Sequence, residues 1–132
     1  LEIKQELTRD LSAGVSDEQT IRGKVYKIWL NFIAWTLKYP EKLRFFLQFS
    51  SSPYISNLTR EEATQHFRFI RDLIEEGKRQ DVIKDMPTDL LLDINTGLAQ
   101  VMAMHFLNNP EKFHDEEYRE MAFNAYWDCT KR

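Results

Sequence analysis

Apolar residues return every third or fourth position through almost the whole chain, and nowhere do they alternate with polar ones for the length of a strand. A period near 3.6 marks an amphipathic helix, and a period of 2 marks a half-buried strand. The pattern therefore confines the chain to an all-α fold, a helical bundle of five to six helices joined by short loops. Four Gly and four Pro in 132 residues are too few for the frequent turns of an all-β domain. The length suits one domain with its own hydrophobic core.

Residues 1–13 read as the end of a helix, with Ile3, Leu7 and Leu11 on one face and Gly14 placed to terminate it. Ser16 with Gln19 three positions on is a capping box, which predicts a helix from 16 to about 38. Its stripe is Ile21, Val25, Ile28, Trp29, Phe32 and Ile33, broadened late in the helix by Trp35 and Leu37. Tyr39-Pro40 ends that helix, because the residue before Pro avoids helical geometry. Pro40 can then open a short helix, roughly 40–50, that carries Leu43, Phe45, Phe46, Leu47 and Phe49. A Ser-rich loop follows up to Pro53.

Thr59 with Glu62 forms a second capping box, for a helix running to about Arg79. Ala63, Phe67, Ile70 and Ile74 form its apolar stripe. Arg68–Asp72, Arg71–Glu75 and Glu75–Arg79 are spaced as i,i+4 pairs on its wet face. Residues 77–86 read as a connection. A Leu-rich helix follows from 87 to 107, stopped by Asn108-Asn109-Pro110, and a final helix runs from about 115 to 130.

The formal net charge is −3 and the isoelectric point about 5.6. A nucleic-acid-binding surface usually shows as a basic patch, so these residues are not expected to grip DNA themselves. A single cysteine, Cys129, excludes an internal disulfide and fits a reducing compartment. The richest apolar run, Ile28 to Leu37, is interrupted by Asn31 and Thr36 and is too short to span a bilayer. No secretory signal pattern opens the chain. The expectation is a cytoplasmic protein with no membrane partner.

Nothing in the residues calls for catalysis or a cofactor. Glu111 and His114 spell Glu-x-x-His, but a di-iron bundle needs two such pairs and two further Glu. Here there is one copy, in an expected loop, so no metal site is read. Cys129 has no evident base or cysteine partner and is read as a small buried residue. Glu61-Glu62 and Glu75-Glu76 are adjacent in sequence, so on a helix they diverge by about 100°. There is no phosphate-binding loop, nucleophile elbow or zinc spacing.

The last two helices carry more apolar surface than one neighbour can cover. A helix packed on a single side needs a stripe of about 100°. In the Leu-rich helix, Leu90, Leu91, Ile94, Leu98, Val101, Met102 and His105 make one band, with Gly97, Met104 and Leu107 beyond it. In the final helix, Tyr118, Met121, Ala122, Ala125 and Cys129 make one stripe, and Phe123, Tyr126 and Trp127 another. Soluble monomers avoid large exposed apolar patches. The pattern therefore points to a homodimer through these two helices, with Gly97, Val101, Met104, Phe123, Tyr126 and Trp127 as interface candidates. The alternative is that both helices are central in a monomeric bundle.

The order of features resembles a known family. A long helix ends in Tyr39-Pro40-Glu41, and a short Phe-rich helix and the Ser-rich loop follow. An amphipathic helix then ends Glu75-Glu76-Gly77-Lys78 and leads into Val82-Ile83-Lys84-Asp85. Pro87, a Leu-rich helix containing Gly97 and a final aromatic helix complete the sequence. Over almost its whole length, this chain is similar to the C-terminal regulatory domain of TetR-family (tetracycline-repressor-like) transcription regulators. Members often carry a Gly in the turn after the amphipathic helix, where this chain has Asp81.

The resemblance implies that residues 1–13 end the helix linking the body to an N-terminal helix-turn-helix head. That head is not among these residues, so operator DNA would be contacted only through it. Residues 14–132 would form the ligand-binding and dimerisation domain. The resemblance further implies a pocket for a small lipophilic or aromatic effector. Trp29, Phe32, Phe46, Phe49, Phe67, Ile70, Met102 and Phe106 have the size and apolarity to line it, with His66 and His105 as polar contacts. Each of these residues can equally be a core side chain. The alternative function is a helical lipid- or partner-binding module with no role at DNA.

Overall fold

The computed structural model describes residues 9–44 and 68–132. Residues 9–12 are helical, and Gly14 follows in the left-handed region at φ 76°. Helix α1 spans Ile21–Lys38, α2 Arg68–Arg79, α3 Thr88–Asn108, α4 Pro110–Phe113 and α5 Glu116–Asp128. Residues 40–44 begin another helical turn at Pro40. The all-α reading holds. Among the described residues the β component is one isolated antiparallel bridge, Ile83 to Lys131.

Helix α1 starts five residues later than the Ser16–Gln19 box predicts. Gly14 turns the chain into a single 3₁₀ turn, Val15–Asp17, which absorbs Ser16, and Glu18 is then extended. Thr20 takes over as N-cap, its hydroxyl accepting from Gly23 N–H at 2.9 Å. A capping residue acts only where the backbone entering it is extended, and here that residue is Thr20. The segment expected as a loop at Glu111–His114 forms the short helix α4, with Pro110 at its first turn. Asp115 then caps α5 by accepting from Tyr118 N–H.

Around α1 a single aromatic core assembles. The Trp29 ring lies 5.4 Å from Phe123, 6.2 Å from Phe106 and 6.4 Å from Tyr126 between centroids. Its indole N–H donates to the Met102 sulfur at 3.4 Å. One residue of α1 thus ties α3 and α5 together, fully buried with Phe106 and Phe123.

The turn after α2 is stitched to the C-terminus. Lys84 N–H donates to Thr130 C=O at 3.0 Å and Arg132 N–H to Val82 C=O at 2.9 Å. Asp81 adopts φ 60°, at the place where the resemblance led us to expect Gly, and its carboxylate pairs with Arg132 at 2.7 Å. Asp tolerates this backbone better than most side chains.

Candidate functional site

Trp29, Met102 and Phe106 of the expected pocket form one packed cluster at the centre of the bundle. Phe32 and Ile70 pack half-buried against that core. His105 does not join them. It is exposed, stacked on Tyr118 at 5.9 Å and hydrogen-bonded to its hydroxyl at 2.5 Å. Phe46, Phe49, His66 and Phe67 lie outside the described residues, as do the Thr59–Glu62 capping box and the Ser-rich loop.

Two residues of α1, Asn31 inside the apolar run and Trp35 where the stripe broadens, define an edge of the body. Asn31 donates its side-chain amide to the carbonyls of Leu11 at 3.0 Å and Ala13 at 2.9 Å. Those carbonyls lie at the end of the 9–14 segment, where a helix leaves its last C=O groups unpaired. One helical turn on, Trp35 is 2% exposed, between the rings of Phe32 at 6.5 Å and Tyr39 at 6.2 Å. Its indole N–H finds no acceptor among the described residues. The available signal was the polar Asn31 inside the richest apolar run.

The outer side of α3 is apolar and uncovered in a single chain. Leu90, Ile94, Val101 and Met104 are 46%, 40%, 66% and 37% exposed, and Met121 of α5 is 61% exposed. Gly97 is exposed on the same side, with open space where a Cβ would stand. By length and composition α3 could also cross a membrane, which reflects the same surplus of apolar surface.

The exposed Phe123 and Trp127 expected from the sequence are corrected. Phe123, Tyr126 and Trp127 are 0%, 9% and 7% exposed and belong to the core of one chain. Burial pushes the Tyr126 phenol far above its ordinary value. Two stripes on one helix do not reveal which of them faces inward, and here the larger aromatics face Trp29. The outward stripe includes Met121 and Ala125. Cys129, expected buried, is exposed at the end of α5.

Polar contacts fix α2 against α3 across its wet face. Glu75 accepts from the Thr88 hydroxyl and Arg71 pairs with Asp89. Lys78 donates to Thr88 Oγ1 at 2.7 Å and lies 3.4 Å from Glu75. Arg79 pairs with Glu76 at 2.6 Å. The i,i+4 partners expected for Arg71 and for Glu75 are thus replaced by contacts to α3 and by i,i+3 pairs. The Thr88 hydrogen bond, then Lys78, holds Glu75 below the usual carboxylate range, and Arg79 with Gln80 does the same for Glu76.

An open cleft on α5 is lined by Glu116, Glu117, Glu120, Met121 and Asn124. Among the described residues no cluster of three His, Cys, Asp or Glu is arranged to hold a metal ion.

The fold matches solved structures over nearly its whole length. A tetR family transcription regulator from Shewanella sp. PV-4 superposes with a TM-score of 0.90 at 24% identity, covering 99% of this chain and 70% of that one. One from Marinobacter aquaeolei VT8 gives 0.85 at 18% identity, over 98% and 68%. A TetR family protein from Vibrio parahaemolyticus gives 0.79 at 21% identity, over 99% and 70%. At these identities the likeness speaks for the fold. No curated protein matches the sequence. The family profile described as "Tetracyclin repressor-like, C-terminal domain" matches residues 22–131, and with five-sixths of its length matched this chain belongs to that family of regulator domains.

Proposed function

We propose that this chain is the effector-binding and dimerisation body of a TetR-type transcription regulator. Two copies associate through the outer sides of α3 and α5. A small lipophilic or aromatic effector enters the helical body and binds one conformation better than another. That differential affinity shifts the segment ending at Ala13, and with it an N-terminal head that reads operator DNA. Head spacing matters because dimeric helix-turn-helix proteins read half-sites about one DNA turn apart. The net charge of −3 fits a body that leaves DNA contact to another segment.

The observation that carries the reading is the α3 row Leu90, Ile94, Gly97, Val101 and Met104, apolar and open to solvent, with Met121 likewise exposed on α5. A second copy offers a matching apolar surface through two-fold symmetry. Sedimentation equilibrium of the chain and of Val101→Glu tests it. A dimer that Val101→Glu converts to a folded monomer with unchanged helicity supports the reading. A monomeric wild-type chain at micromolar concentration overturns it.

A further inference from the structure

We propose that the indole N–H of Trp35 is the polar anchor of the effector site, so that the effector carries a hydrogen-bond acceptor oxygen on a largely apolar, aromatic body. The inference rests on the effector-binding reading and names the chemistry of that same site. Trp35 is 2% exposed, yet its Nε1–H has no acceptor among the described residues. The contrast within the same helix is direct, because the Trp29 indole N–H is satisfied by the Met102 sulfur. Buried donors are nearly always paired, and one left unpaired weakens the fold. Such a group is conspicuous in a native interior unless something else supplies its partner.

The surroundings define the partner. The Phe32 ring lies almost parallel to the Trp35 ring, at 17°, and the Tyr39 ring is tilted at 56°. Apolar ligand sites are mostly such surfaces with a few placed polar groups that fix orientation. A site built around a donor rejects analogues that lack the acceptor, since binding them leaves the donor unpaired. The position also bears on transmission. Trp35 follows Asn31 by one turn on the same edge of α1, and Asn31 holds the carbonyls of Leu11 and Ala13. An acceptor bound at Trp35 therefore lies along the helix edge that grips the segment leading towards the head.

The test uses 2-acetylnaphthalene and 2-ethylnaphthalene, two probes of nearly equal shape that differ in a carbonyl oxygen. The three tryptophan indole N–H signals of the ¹⁵N-labelled chain are assigned through bonds and followed during titration. Saturable binding in which the ketone moves the Trp35 indole proton downfield, while the hydrocarbon does not, is the expected result. Trp35→Phe keeps a ring and removes the donor, and is expected to lower ketone affinity about tenfold while leaving hydrocarbon affinity unchanged. The wild-type titration decides even where Trp35→Phe fails to fold. Saturable ketone binding with the Trp35 signal unmoved overturns the anchor and leaves the effector site standing. Absence of saturable binding by either probe overturns the lipophilic-aromatic effector reading and the anchor with it.

Discussion

A Cβ on Gly77 would stand 2.4 Å from Cδ1 of Ile83, closer than real side-chain atoms approach. Gly77 sits within α2, and its carbonyl accepts from the N–H groups of Val82 and Ile83 as the chain turns back. The glycine is required by contact and not by backbone conformation. Gly77→Ala is expected to lower stability by about 1–3 kcal/mol through overpacking, despite the ~1 kcal/mol that Ala gains in helix propensity. Ile83→Val removes the clashing Cδ1, so the double mutant should lose less than the sum of the single ones. Urea unfolding of the four proteins checks this, and additive losses would refute the contact.

Gly97 provides the opposite case. Nothing lies within 4 Å of its would-be Cβ, so Gly97→Ala should raise the stability of the isolated subunit by about 0.5–1 kcal/mol. If two α3 helices approach closely at that point, the same methyl should weaken self-association by roughly 1–3 kcal/mol. Thermal melts of a Val101→Glu background isolate the first effect, and sedimentation equilibrium of Gly97→Ala alone reads the second. A dimer constant unchanged by the methyl would place the close approach elsewhere.

Asn31→Leu preserves bulk and removes both hydrogen bonds to the 9–14 segment. The expected local loss is about 1–2 kcal/mol, which corresponds to roughly a tenfold faster tryptic cut after Arg9 with little change in the global melt. Equal cleavage rates in the two proteins would show that the segment is held by other contacts, such as the burial of Leu11.

Acid should loosen the α2–α3 junction. Glu75 and Glu76 titrate below the ordinary value of 4.5 in the folded chain. A carboxylate with a depressed folded pKa stabilises fully above its unfolded pKa, and that contribution is lost as pH falls through the folded pKa. Melting temperature should therefore decline as pH drops below about 4.5. Thr88→Val removes the hydroxyl that is the larger influence on Glu75. It should lower the melting temperature more at pH 7 than at pH 3, and an equal drop at both would remove Glu75 from the account.

Local signals that name a stopping point were legible in the sequence. Pro87 and Asn109-Pro110 bracket α3 within a residue of its observed ends, and Tyr39-Pro40 ends α1 as expected. Signals that offered two solutions were not. Ser16 and Thr20 both suit an N-cap, and the choice fell to Thr20 because Gly14 bends the chain before it. The last helix carries two apolar stripes, and periodicity gives their spacing without their orientation. Only the position of Trp29 between α3 and α5 decides that Phe123 and Tyr126 turn inward. The contacts of Asn31 and Trp35 were not legible for a related reason. Their roles depend on what is absent around a donor or present across the chain, and neither leaves a period in the sequence.

The bridge between Ile83 and Lys131 bears on how readily a partner can dock. The chain leaves the α2 turn, runs out along α3, reverses through α4, returns along α5 and is hydrogen-bonded back to its own starting point. Residues 82–132 therefore form a closed circuit, covalent at one end and backbone-paired at the other. Helices held in such a circuit have little freedom to slide or splay, so the surface they share is ordered before any encounter. In the proposed dimer, association would avoid much of the entropy loss that ordering two loose helices imposes, and the apolar row on α3 would meet its counterpart already preorganised.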